Sequence, residues 1–222
     1  MINIQEIFNN DNIIKNVSLW LPDNGDSSDL AGAAEYAAEM NIALLSVVPG
    51  DVPTIWPWVE RLKVKIVSRF NGVGGEDVSG LVVDIKSVFR QGADGAQVIV
   101  KLNDLNRFVD SVVSVRDDLF FNKSLSIGLD MFEVWPLDWA GVFGALKKLR
   151  ASSLLLILSH DDMEKSDFTG RIYAALTEWD ANPDMELHVM LGESFNRAEQ
   201  VYRLVAAVRP ELLNKLKFFV SY

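Results

Sequence analysis

Gln97 and Lys101 are the two residues of the stretch GADGAQVIVKLND whose types and spacing suggest chemistry. The stretch predicts a strand, and because side chains alternate along a strand, both residues lie on one face while the other face is apolar. A polar face opposite an apolar face fits a barrel strand whose polar side lines the lumen. A lumen lysine forms an imine with a carbonyl compound when its pKa is lowered. Its alternative role is to balance Asp130 or Asp104, since a buried charge needs a partner.

Several other polar residues stand at predicted strand ends, where the active groups of such barrels lie. Asp130 is a candidate catalytic acid, and His188 is a candidate general acid or base at neutral pH, or a hydrogen-bonded core histidine. Arg69 offers a bidentate fork for a carboxylate or phosphate, or it balances Asp51 or Asp104. Further acids follow the first and second predicted strands, at Asp23 and Asp51.

His160 begins a run of possible metal ligands, His160-Asp161-Asp162, with Asp130 on the neighbouring predicted strand. One histidine and three carboxylates suit a divalent cation. However, Asp161 and Asp162 also stand at the start of a predicted helix, where carboxylates act as caps and interact well with the helix dipole. We therefore predict no metal and no cofactor, and we place His160 among the substrate-binding residues.

The elements that must position these side chains recur regularly along the chain. Strands are predicted to start near residues 17, 42, 63, 96, 125, 153, 186 and 216, with helices between them. This alternation favours a parallel eight-stranded (β/α)8 TIM barrel, formed by a single domain over residues 1–222. The chain ends on strand eight without a final helix. We expect the gap to be covered, or the bottom of the barrel closed, by a helix over Ile2–Phe8, unless a partner subunit does so.

The composition narrows the function classes. The 222 residues carry a formal net charge of −10, which argues against a nucleic-acid or anionic-membrane surface. There is no cysteine, and so no thiol nucleophile or disulfide. The N-terminus lacks the features of a signal peptide, and Leu154–Leu158 is too short to span a membrane. We expect a cytoplasmic protein that acts on a small molecule, without nucleic-acid or membrane partners.

Four blocks resemble deoxyribose-phosphate aldolase, a class I aldolase barrel, and together they cover about half of the chain. They are NIALLSVVPGDVP at Asn41–Pro53, VKIVSRF at Val64–Phe70, GADGAQVIV at Gly92–Val100 and LSIGLD at Leu125–Asp130. Ser46 is the small residue of the second-strand block. The resemblance implies an aldolase-type barrel.

The resemblance also implies a chemistry, which this sequence changes. The family uses a strand-six lysine to form an imine, with a strand-four aspartate and a strand-seven lysine to move protons. The matching positions here are Leu156, Gln97 and His188. Leucine cannot form an imine, and Glu193, which follows strand seven, would repel the phosphate that the family binds there. A strand-four lysine, the position of Lys101, is where the related transaldolases place their imine.

Two functions follow from these observations. The first is a diverged lyase or aldolase on a small carbonyl, sugar-like or phosphorylated compound, with Lys101, Asp130 and His188 as catalytic residues. The residues that would bind its substrate are Arg69, Gln97, His160 and Ser46. The second is a catalytically inactive barrel that binds a ligand or another protein, and in its structural form it is an assembly protein whose incomplete helix ring is the interaction surface. The tryptophans of Trp56-Pro57-Trp58, Trp135 and Trp139 are predicted to anchor helices, whereas exposed tryptophans would indicate a homo-oligomer contact.

Overall fold

Eight parallel strands close into a barrel in sequence order, with β8 hydrogen-bonded to β1. The computed structural model describes residues 11–23, 25–73, 78–158, 167–180, 182, 184–192 and 195–222. The strands are β1 Val17–Trp20, β2 Leu44–Val47, β3 Lys65–Val73, β4 Gly95–Val100, β5 Ser124–Asp130, β6 Ser153–Ile157, β7 Glu186–Gly192 and β8 Leu216–Ser221. This confirms the predicted (β/α)8 barrel, in which β8 is the last element.

Helices connect the strands and form the outer layer. They are α1 Asp11–Ile14, α2 Ser27–Glu39, α3 Val52–Val59, α4 Val78–Arg90, α5 Leu105–Val112, α6 Arg116–Leu119, α7 Trp139–Leu149, α8 Phe168–Asp180 and α9 Asn196–Val208. The apolar pattern over Leu105–Asp118 predicts one continuous helix, whereas the structure interrupts it at residues 113–115, whose sequence Val-Ser-Val is poor in helix formers. The sequence offers Ser28 and Asp29 as candidate caps of α2, but the cap is Asp26, whose carboxylate accepts hydrogen bonds from the amides of both residues.

Side-chain alternation divides the buried residues into two sets. The outward faces of the strands pack with the helices in one continuous apolar cluster. Val67, Leu155 and Phe219 are buried but stand apart from that cluster, because they alternate with its members along β3, β6 and β8. The lumen side of the strands also carries most of the buried polar residues: Ser18, Ser46, Arg69, Gln97, Ser126, Ser153 and His188. The barrel therefore has an apolar outer layer and a partly polar lumen.

The seam between β8 and β1 is closed within the described residues. Asn16 donates a side-chain hydrogen bond to the carbonyl of Leu213 at 3.1 Å and accepts one from the amide of Phe218 at 2.8 Å. At the other end of β8, the ring of Tyr222 lies 5.9 Å from that of Tyr36 on α2. The helix predicted over Ile2–Phe8 lies outside the described residues, so its covering role stays a prediction.

Within the part of the chain that the structure describes, no helix has the length and hydropathy needed to cross a membrane.

Candidate functional site

Arg69 is a buried cation at the carboxyl ends of the first strands, with only 1% of its surface exposed. Its Nη1 atom donates to the carbonyl and hydroxyl oxygens of Ser46, at 3.1 and 3.3 Å. Its Nη2 atom donates to the carbonyl oxygen of Leu21 at 2.8 Å and forms an ion pair with Asp23. The guanidinium carbon lies 4.2 Å from the ring centre of Trp20, as in a cation–π contact. Groups from β1, β2 and the β1–α2 loop thus fix the guanidinium.

The electrostatics of this cluster involve two carboxylates and one cation. Burial lowers the pKa of Arg69, while its hydrogen bond and charge interaction with Asp23, and then the charge of Asp51, oppose that effect. An arginine starts so far above neutral pH that it stays charged. Burial raises the pKa of Asp51, which ends the 3₁₀ turn Pro49–Asp51, and the charge of Arg69 opposes this rise. Arg69 therefore moderates the cost of holding Asp51 as a carboxylate.

Gln97 completes the cluster from β4. It is fully buried, and its Oε1 atom accepts a hydrogen bond of 2.8 Å from the Ser46 hydroxyl. Arg69 and Gln97 are paired in the register of β3 and β4, so their side chains are neighbours in the lumen. The Nε2 atom of Gln97 and the Nε atom of Arg69 are buried and have no hydrogen-bond partner in the structure. Buried N–H groups without partners are rare, and here they offer donors to an oxygen atom of a ligand.

Lys101 lies just beyond this lumen cluster. β4 ends at Val100, and Lys101 precedes the 3₁₀ turn Leu102–Asp104 with its side chain exposed. It therefore lacks the burial that imine formation by this lysine requires. The ion pairs that the structure records among the described residues do not include Lys101. Its role in catalysis stays a prediction.

Asp130 was predicted as a catalytic acid or a partner of Lys101, and His160 as a substrate-binding residue on the strand next to Asp130. Asp130 is the last residue of β5 and is half-buried, and its Oδ1 atom accepts a hydrogen bond of 2.8 Å from the amide of Phe132. That bond closes the turn after the strand. His160 and the possible metal ligands beside it lie outside the described residues. Among the residues that are described, no group of three or more acidic or histidine side chains is arranged to hold a metal ion.

His188 lies on the lumen side of β7, and its Nε2 atom is hydrogen-bonded to the residue that begins this strand. Its Nε2 atom is 2.9 Å from Oε2 of Glu186, the first residue of the strand, and its ring centre is 5.5 Å from that of Phe219. Since a carboxylate only accepts, the imidazole is the donor. The hydrogen bond therefore binds His188 to the amino-terminal end of the barrel, opposite the end that carries Arg69.

The Glu186–His188 pair predicts a pH-dependent stability. The hydrogen bond from His188 is the main cause that lowers the pKa of Glu186 from its usual 4.5, with burial opposing it and Lys217 and Lys65 adding smaller effects. The unfolded chain then binds more protons near pH 4, so the stabilisation is complete above pH 4.5 and is lost as the pH falls through the lowered value.

Replacing Glu186 by glutamine tests this linkage. We expect a loss at pH 7 of less than about 1 kcal/mol, because 46% of the Glu186 side chain is exposed and screened by water. The difference in the free energy of unfolding between wild type and Glu186→Gln should vanish near pH 3. Urea unfolding at both pH values measures it, and an equal difference at both would contradict the assignment.

Leu156, the position matched to the strand-six lysine, lies in the apolar layer between barrel and helices. Leu155 and Ile157 occupy the alternate positions of β6, and Leu155 stands apart from that layer. The sequence of β6 is Ser-Leu-Leu-Leu-Ile, which contains no lysine. An imine in this barrel would therefore have to form on another strand.

The sequence interpretation identified only part of the environment of Arg69. It expected Arg69 to balance Asp51 or Asp104, and the charge of Arg69 does act on Asp51, but the ion pair is made by Asp23 and the aromatic contact was missed. The signal was present, because Trp20 and Asp23 close a first strand that neighbours β2, and β2 neighbours β3 in any barrel of this type. Trp20 was not singled out at all.

Comparison with known proteins supports the fold. No family model and no curated protein sequence matches the chain. A provisionally named deoxyribose-phosphate aldolase from Toxoplasma gondii ME49 superposes with a TM-score of 0.72 at 15% identity, over 98% of this chain and 92% of that one. Deoxyribose-phosphate aldolase from Aeropyrum pernix, described as a tetramer, gives a TM-score of 0.65 at 14% identity, over 83% and 80% of the two chains.

A third similar structure has a different name. It is the provisionally named copper homeostasis protein CutC from Streptococcus agalactiae, with a TM-score of 0.64 and 12% identity over 91% of this chain and 97% of that one. At such identities the likeness concerns the fold, because one barrel architecture carries many functions. The chain has the fold of an aldolase-type TIM barrel.

Proposed function

We propose that the protein is a lyase of aldolase type that binds a small hydroxycarbonyl or sugar-like compound at the carboxyl end of its barrel and acts on it without an imine. One observation carries this proposal: the buried Nε2 atom of Gln97 and the buried Nε atom of Arg69 lack hydrogen-bond partners at the strand ends where such barrels place their active groups.

The chemistry of these donors fits an aldol-type cleavage. In aldol-type cleavage of a β-hydroxycarbonyl compound, the β-hydroxyl loses its proton to water, the Cα–Cβ bond breaks and the β-carbon leaves as an aldehyde. The electron pair of that bond forms an enolate, whose negative charge develops on the carbonyl oxygen, and a proton from water then completes the product at Cα.

A preorganised N–H donor in a buried site stabilises that negative charge, and the NH₂ group of Gln97 is the donor assigned to it, while Nε of Arg69 remains for another oxygen atom of the substrate. The Ser46 hydroxyl donates a hydrogen bond to Oε1 of Gln97 and so fixes the orientation of the amide. The NH₂ group is therefore directed away from Ser46 and stays available to a ligand. The exposed Lys101 and the lysine-free β6 favour such a hydrogen-bonding mechanism over an imine.

The second candidate is a barrel that binds the same class of compound without converting it. No lysine stands on either face of β6, the strand on which the aldolase resemblance places the imine, and this favours the second candidate. Trp58 and Trp135 are 50% and 69% exposed, and exposed tryptophans are typical of surfaces that bind another protein. A homo-oligomer that uses these tryptophans remains part of this second proposal.

The test compares Gln97→Met with the wild type against a panel of short hydroxyaldehydes, hydroxyketones and sugars. Binding is read by calorimetry and cleavage by proton NMR. Because Met has a similar volume but no donor, we expect it to fold and to lose turnover by about 100-fold. Ser126→Ala is the matched control, since it removes another unpartnered lumen atom from the neighbouring strand and should change turnover little.

The outcomes separate the two candidates. Binding without cleavage supports the inactive barrel. Neither binding nor cleavage across the panel would overturn both. Borohydride reduction during turnover, read by intact mass, checks the mechanism: a reduced adduct on Lys101 contradicts an imine-free reaction.

A further inference from the structure

Asp51 and Arg69 each keep one buried hydrogen-bonding atom without a partner. In Asp51 it is Oδ2, an acceptor, and in Arg69 it is Nε, a donor. The turn Pro49–Asp51 packs against β3, the strand that carries Arg69, and the ion pair of Arg69 itself is made with Asp23, through Nη2. A buried donor and a buried acceptor that both lack partners in one cluster indicate a binding position for a ligand group. That group must accept a hydrogen bond from the donor and donate one to the acceptor.

A hydroxyl group is the ligand group that serves both atoms at once. Its O–H donates to a carboxylate, while its oxygen lone pairs accept from an N–H. A carboxylate or phosphate group can satisfy only the arginine, and it would leave Asp51 facing another anion. The chemistry of the two open atoms thus points to an alcohol.

The charge of the cluster also favours an uncharged ligand group over an anion. Arg69 supplies one positive charge, and Asp23 and Asp51 supply two negative charges, so the cluster is anionic with both carboxylates ionised. An incoming anion would also compete with Asp23 for Nη2 of Arg69. A neutral hydroxyl leaves that ion pair in place, and repulsion between like charges disfavours the wrong ligand.

We propose that Asp51 and Arg69 together bind one uncharged hydroxyl group of the substrate, and that this pair makes the site prefer unphosphorylated over phosphorylated compounds. The inference rests on the proposed function and names its substrate class: a hydroxycarbonyl compound with a free hydroxyl at the end that meets Asp51. Asp51 is a binding residue in this account. The carbonyl oxygens of Ser46 and Leu21, together with Asp23, keep the guanidinium in position.

The test measures affinities of matched pairs of probes by calorimetry. The pairs are glyceraldehyde with glyceraldehyde 3-phosphate, dihydroxyacetone with its phosphate, and deoxyribose with deoxyribose 5-phosphate. We expect the wild type to bind the uncharged member of at least one pair about tenfold more tightly, a difference typical of one good polar contact. In Asp51→Asn, which keeps the shape but removes the charge, this preference should disappear.

The matched control is Asp104→Asn. Asp104 ends a 3₁₀ turn after β4 with backbone angles of −96° and −8°, close to the −91° and −14° of Asp51 after β2, and neither side chain caps its helix. The substitution therefore makes the same change of charge in the same kind of turn. We expect it to leave the preference intact. Melting temperatures of both variants verify folding, and Asp51→Ser provides a second variant if Asp51→Asn does not fold.

Each result decides between the two proposals. If the wild type prefers the phosphorylated members, or if Asp51→Asn and Asp51→Ser keep the wild-type preference, the hydroxyl site is wrong while the binding function stands. If no member of any pair binds, the proposed function itself is overturned.

Discussion

Replacing Gly92 by alanine is expected to destabilise the protein by about 4 kcal/mol, the combined cost of a strained backbone and an overpacked contact. Gly92 joins α4 to β4 with a φ angle of +113°, a conformation that residues with a Cβ atom rarely adopt. A Cβ atom there would lie 1.9 Å from Cδ1 and 2.2 Å from Nε1 of Trp56. The indole would have to leave its position against the α4–β4 connection.

Urea unfolding measures this loss, and two further variants apportion it. Gly141→Ala in α7 is the control, because its added Cβ meets nothing within 4 Å and should stabilise a helix interior by about 1 kcal/mol. The double variant Gly92→Ala with Trp56→Ala removes the collision but keeps the strain, so adding Gly92→Ala to Trp56→Ala should cost only about 2 kcal/mol. A single Gly92→Ala variant as stable as the wild type would refute this account.

The tryptophans show what sequence pattern can and cannot place. Trp139 is fully buried on α7, as expected of a helix anchor, and Trp56 is half-buried against Gly92. Trp58 and Trp135 are largely exposed, so the anchoring prediction is wrong for them. Hydropathy alone does not tell whether a tryptophan faces the barrel or the solvent. That orientation is determined by packing partners that are distant in sequence.

The strands and most helices could be predicted because local patterns determine them. The predicted bounds of Val78–Arg90 and Asn196–Val208 match α4 and α9, whose apolar residues recur with the helical period. The eight strands follow from apolar runs at regular spacing. The break after Val112 was missed because apolar periodicity continues through residues 113–115, where helix propensity is low.

The sequence identified several residues of the site, but few of the hydrogen bonds and ion pairs between them. Alternation placed Gln97 in the lumen, but the length of β4 determines where Lys101 lies, and strand ends depend on the neighbouring loops. The pairing of His188 with Glu186 could have been found, because residues two apart on a strand share a face. The choice of Asp23 over Asp51 for Arg69 depends on loop conformation, which composition does not encode.

Arg69→Met is expected to cost about 3 kcal/mol of stability, and any ligand that the site binds should be lost with it. The guanidinium serves the buried carbonyl oxygens of Ser46 and Leu21, and a methionine would leave both without that donor. The raised pKa of Asp51 should rise further, because Arg69 is the charge that lowers it. Asp23 adds little to the loss, since 57% of its side chain is exposed and water can hydrate the carboxylate.

Asp23→Asn distinguishes the contributions of the backbone contacts and the ion pair. The amide oxygen can still accept from Nη2, and the pair is partly screened, so we expect a loss of only about 1 kcal/mol. Urea unfolding of both variants gives the two free energies, and Arg69→Lys tests whether charge alone suffices. A lysine has one ammonium group in place of a fork, and should recover less than half of the loss. If Asp23→Asn costs as much as Arg69→Met, the ion pair and not the carbonyl contacts holds Arg69, and this account of its stability is wrong.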